Sequence, residues 1–122
     1  MKPLLPTLKE RNRYVLIVSF EDDFYNKLLM KFQELYGKVL LGKSNLRLVK
    51  FVPKNALDEF NFIGIIKVER NYLKHLLSTL IFLNARAFYV SGTLKKLREK
   101  IKNDPQFSHY YPFLKSSDSV KK

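Results

Sequence analysis

The segment from Arg13 to Phe20, RYVLIVSF, is apolar at nearly every position and rich in β-branched and aromatic side chains. That composition predicts a β-strand, and the near-absence of polar positions predicts burial on both faces. Glu21, Asp22 and Asp23 follow. Acids placed here predict a helix start, where a side chain caps the chain and negative charge meets the positive helix end. Tyr25, Leu28, Phe32, Leu35 and Tyr36 then share one helical stripe, and Gly37 is expected to end that helix. The stretch GKVLLGKSN, Gly37 to Asn45, reads as a glycine loop. Asn45 to Val52 alternates as a second strand, stopped by Pro53, and Phe62 to Glu69, FIGIIKVE, reads as a third. A second helix places Leu73, Leu76, Leu77, Leu80 and Leu83 toward the core. Ala87 to Ser91 forms a fourth strand, and Leu94, Leu97 and Ile101 form the narrow apolar seam of a third helix that begins near Thr93.

The order β-α-β-β-α-β, then α, predicts an α+β fold. It is the ferredoxin-like arrangement, an antiparallel sheet sandwich with two helices on one face and an extra C-terminal helix. At 122 residues the chain is expected to be a single domain, 1–122. Its core would run from 12 to 102, between a basic N-terminal arm (1–11) and an aromatic C-terminal tail (103–122). The fold hosts many functions and settles none.

If Phe62, Gly64, Ile66 and Val68 point at the helices, the other face shows Ile63, Ile65 and Lys67. Val15 and Ile17 are assigned to that same face on the first strand, with Val49 and Phe51 on the second. A face this apolar needs a cover. The candidates are the C-terminal helix, the aromatic tail QFSHYYPFLK, or another protein, so Val15, Ile17, Val49, Phe51, Ile63 and Ile65 form the expected protein interface. RNA binders of this strand order stack bases on sheet aromatics. Here Tyr89 is the only plausible ring, so RNA contacts are expected from loops, helix ends and basic side chains, mainly to phosphate.

The net charge is +12 and the hydrophobic fraction 46%, a chain that can pack a core yet carries a charge suited to a polyanionic partner. Tyr14 to Tyr36 is net acidic and the flanking stretches are basic, which predicts a back face and a front face. Cysteine is absent, which excludes disulfides and thiolate chemistry. No apolar run is long enough to span a membrane, and MKPLLPTLKERNR lacks the apolar middle of a signal peptide, so an intracellular, cytoplasmic protein is expected. His75 and His109 are the only histidines and lie far apart in sequence. The reading is therefore no catalytic residue, no metal site and no cofactor bound by the protein.

The chemistry concentrates at FYVSGTLKKLREKIK, Phe88 to Lys102, where Ser-Gly-Thr opens a basic helix. Free N–H groups at such a junction attract anions. Equally, Gly92 permits a tight turn and Thr93 caps the helix, and the two readings are compatible. The candidate phosphate contacts are Lys9, Arg11, Arg13, Lys43, Arg47, Lys67, Arg70, Ser91, Gly92, Thr93, Lys95, Lys96 and Arg98.

PTLKERNRYVL (Pro6 to Leu16), LLGKSNLRLVKF (Leu40 to Phe51), GIIKVER (Gly64 to Arg70) and YVSGTLKKL (Tyr89 to Leu97), in that order, resemble the ribonuclease P protein component 2 family. The resemblance spans about Pro6 to Lys102. It implies a part in removing the 5′ leader of precursor tRNA, within a particle whose RNA subunit carries the catalytic site and its magnesium ions. It also implies pairing with ribonuclease P protein component 3 to support the catalytic domain of that RNA, association with other ribonuclease P protein subunits, and a possible dimer of such pairs. The competing readings are a ribosomal or other RNA-assembly protein of this fold and, from another class, a ligand-sensing ferredoxin-like dimer, which predicts a polar pocket and little need for such charge.

Overall fold

The computed structural model describes residues 12–57 and 59–115. Its strands are β1 (Asn12–Ser19), β2 (Arg47–Phe51), β3 (Phe62–Glu69) and β4 (Ala85–Ser91). Its helices are α1 (Phe24–Ser44), α2 (Leu73–Ile81), α3 (Leu94–Asn103) and the short α4 (Tyr111–Leu114). The strands lie in the order β2-β3-β1-β4, antiparallel throughout. This is the expected α+β, ferredoxin-like architecture. No helix among the described residues is long and apolar enough to cross a membrane.

Local signals fail in two places near α1. Gly37 does break the helix, at φ 92°, ψ 164°, a backbone region that suits glycine. The chain then turns helical again as far as Ser44, so the expected glycine loop is a helical segment. Leu40 and Leu41 pack against the core, and that packing restores the helix beyond the kink. Leu35 points outward, 40% exposed. At the other end Asp23 occupies the cap position in a left-handed conformation, and its side chain does not cap the backbone. Its carboxylate instead accepts from Asn26 Nδ2 at 2.9 Å, while Glu21 pairs with Lys27 at 2.9 Å. The hydrogen bond to Glu21 raises the Lys27 pKa above its ordinary value, with desolvation opposing it.

The sheet separates two cores. On one side Val15, Ile17, Ile66 and Val68 pack under the helical layer, against Phe24, Leu28 and Phe32 of α1 and Leu76 and Leu80 of α2. On the other, Leu16, Val18, Ile63 and Ile65 pack under Leu97 and Ile101 of α3 and under Phe107, Tyr110 and Leu114 of the tail.

This division corrects the expected interface. Cross-strand partners share a face. Val15 opposes Ile66 and Ile17 opposes Gly64, so Val15 and Ile17 lie on the helical side with the third-strand residues they pair with. Ile63 and Ile65 do lie on the second face, but they are fully buried beneath the chain's own tail. Of the six residues, Phe51 is exposed (54%) and Val49 is half-buried. The tail is held by the Phe88–Phe107 edge contact at 4.8 Å, by Arg98 Nε donating to the Leu114 carbonyl at 2.9 Å, and by Tyr89 Oη donating to Asp104.

Candidate nucleic-acid interface

Antiparallel strands bring distant parts of the sequence to one end of the sheet. β1 begins with Asn12 and Arg13, β2 begins at Arg47 just after α1 ends, β3 ends at Glu69 ahead of Arg70, and β4 ends at Ser91 ahead of Gly92. Arg13, Lys43, Arg47, Lys67, Arg70 and the Ser91–Lys96 turn therefore gather at that end. Glu21, Asp22 and Asp23 lie at the opposite one, where Lys27 and Lys54 pair with Glu21 and Asp22. Because strand direction alternates, the cations named first share one end of the sheet and the three acids the other.

At the basic end, Lys43, Arg47, Arg70, Lys95 and Lys96 are exposed and Lys67 is half-buried. None of these six is ion-paired with a carboxylate among the described residues. Arg13 is half-buried, and its Nη1 donates to the Asn12 carbonyl at 2.9 Å. Arg13, Gly92, Thr93 and Lys96 line a pocket of about 260 Å³. The turn beside it is built as the sequence predicts: Thr93 caps α3 by accepting from the Lys96 N–H at 3.2 Å, and the Ser91 hydroxyl accepts from the Thr93 N–H at 3.3 Å. A Cβ added at Gly92 would sit 3.5 Å from Arg13 Nη1, in ordinary contact, so glycine leaves that side of the pocket open. Ser91 is nearly buried and is a structural member of the turn. Arg98 is displaced from the expected set toward the tail, since its guanidinium holds Leu114. Lys9 and Arg11 lie outside the described residues.

Tyr89, the ring expected on the open face, is committed within the chain. Its hydroxyl hydrogen bond to Asp104 raises its pKa, aided by desolvation, and Lys100 sits 6.0 Å from its ring centre. Sequence reasoning missed Tyr14. The register aligns Arg47, Lys67, Tyr14 and Ser91 across the sheet in one row, on the tail side and at the basic end. Correct parity along β1 would have found it, since Tyr14 lies two residues before Leu16. The histidines are engaged with aromatic rings: His75 lies 4.6 Å from Tyr36 and 5.3 Å from Tyr72, and His109 lies 3.9 Å from Tyr110.

Fold and site together define a small basic α+β protein whose basic residues gather at one end of the sheet and whose second apolar face is covered by its own tail. A family model described as the Rpp14/Pop5 family matches residues 8–102. The chain belongs to that family. It is similar to ribonuclease P protein component 2 of Pyrococcus abyssi, 32% identical over 114 residues that cover 82% of this chain and 92% of the relative. The protein of the same name from Pyrococcus horikoshii is 30% identical, covering 82% and 90%. That from Methanococcus maripaludis is 27% identical, covering 90% and 89%.

Proposed function

We propose that this protein is a subunit of ribonuclease P, the particle that removes the 5′ leader of precursor tRNA, and that the basic end of its sheet docks on phosphates of the RNA subunit. Family membership supports the particle. The observation that carries the RNA contact is the convergence of Arg13, Arg47, Lys67, Arg70, Lys95 and Lys96 at one end, with the pocket between Arg13 and Lys96 able to take a phosphate. In this reading the protein works in the cytoplasm, supports the catalytic domain of the RNA together with component 3, and joins the other protein subunits. Two such pairs associate as a heterotetramer. Cleavage chemistry and its magnesium ions belong to the RNA.

The test is reconstitution. The protein alone, given precursor tRNA and magnesium, should leave the substrate intact. Added to the RNA subunit with component 3, it should raise cleavage at the leader junction. Specific cleavage without RNA subunit, or no effect on the reconstituted particle, would overturn the reading.

A further inference from the structure

One tyrosine on the sheet packs against the core beneath the tail yet makes no hydrogen bond, ring contact or cation contact among the described residues. Of the seven tyrosines, six have a hydrogen bond, a ring partner or a cation within the chain. Tyr14 has none of these among the described residues. Tyr14 is half-buried and packs against the apolar core beneath the tail. Its place is unusual too. Lys67 is its partner on β3, Arg47 is the next partner outward on β2, and Ser91 is its partner on β4. Cross-strand partners stand about 5 Å apart, so Lys67 and Ser91 flank Tyr14 directly, and Arg47 lies one strand beyond Lys67 in the same row. One residue earlier on the same strand, Arg13 lines the pocket shared with Gly92, Thr93 and Lys96.

We propose that Tyr14 is a stacking platform for one unpaired RNA base, whose flanking phosphates lie against Lys67 and Arg47 on one side and in the Arg13–Lys96 pocket on the other. This rests on the RNA-binding reading and narrows it to a nucleotide in a single-stranded or bulged segment. A flat aromatic face beside cations suits a nucleotide better than a bare anion, because the base gains from the ring while its phosphates gain from the charges. A duplex offers no free base face, so it would meet the cations alone. The row also explains how a sheet sealed by its own tail keeps a base-reading position: the tail covers Leu16, Val18, Ile63 and Ile65, and Tyr14 lies at the end of the sheet beyond them on β1.

The experiment compares a short oligouridylate with an abasic oligomer of the same length, binding the full chain at fixed salt. Stacking on one ring predicts that the base-bearing strand binds about tenfold tighter. Tyr14→Leu, which keeps apolar volume without a π face, should lose that preference, and Tyr14→Phe should keep it. The salt dependence should be the same for all three, since no phosphate contact changes. In the unaltered protein, ring-labelled tyrosine NMR provides a second readout independent of any folding defect in the leucine variant. The Tyr14 ring signals, assigned by their loss in Tyr14→Phe, should move upfield with oligouridylate and stay in place with the abasic strand. Equal binding of both strands with a steep salt dependence would overturn the stacking proposal and leave the phosphate reading standing. Failure to bind either strand would overturn both. An unmoved Tyr14 signal, or retained preference in a folded Tyr14→Leu protein, would overturn the proposal alone.

Discussion

Replacing Lys95 and Lys96 with glutamate should weaken RNA binding without weakening the fold. Both side chains are exposed at the start of α3, and neither is paired with a carboxylate among the described residues. The buried seam of that helix is Leu97 and Ile101, both fully buried, so the lysines contribute nothing to packing. The cap survives as well, because Thr93 Oγ1 accepts from the backbone N–H of Lys96, which glutamate retains. Positive charge in a first helical turn is unfavourable by about 0.3–1 kcal/mol per residue, so the reversal should leave the melting temperature unchanged or slightly raised. Each lost phosphate contact lowers the magnitude of the log–log salt slope by about 0.7–0.9, so two lower it by about 1.4–1.8. The assay is anisotropy with labelled ribonuclease P RNA across a salt series, alongside a thermal melt and cleavage by the reconstituted particle. A melting temperature several degrees lower would show that the lysines are structural. An unchanged slope with full cleavage activity would show that the pocket at Gly92 is a turn and a cap and nothing more.

Phe107→Ala should destabilise the chain by about 3–5 kcal/mol, because the ring is fully buried against the sheet, edge-on to Phe88 of β4; urea denaturation reads this, and a change below about 1 kcal/mol would mean that the tail does not seal the sheet. Tyr89→Phe tests the tail's polar latch by pH. The Asp104 hydrogen bond raises the Tyr89 pKa on folding, so its contribution is complete below the unfolded value near 10 and is lost as pH climbs through the higher folded value. Wild type should therefore show an alkaline loss of stability that the phenylalanine variant lacks, and superimposable stability–pH differences would refute the assignment.

Much of this protein can be read along the chain. The spacing of Leu76, Leu80 and Leu83 defines the helical core contacts of α2 and its exit, FIGIIKVE defines β3, and Thr93 caps α3 as its residue type predicts. These features depend on neighbours within a few residues, where sequence spacing is spatial spacing. The interface reading failed at the parity of β1. RYVLIVSF is buried on both faces and carries no alternation, so nothing local says whether Val15 or Leu16 faces the helices; only the pairing of Val15 with Ile66 decides it. The same holds for Gly64. It looks like an ordinary gap in an apolar strand, yet an added Cβ would come within 2.8 Å of the Lys50 carbonyl and 2.7 Å of Phe62. The candidate site was legible as a list of basic residues and as a turn, but not as a place. Arg13, Arg47, Lys67 and Ser91 are far apart in sequence and come together because alternate strands run in opposite directions. Tyr14 stands among them, and Arg98 is drawn away to the tail, through contacts between elements that a one-dimensional pattern does not encode.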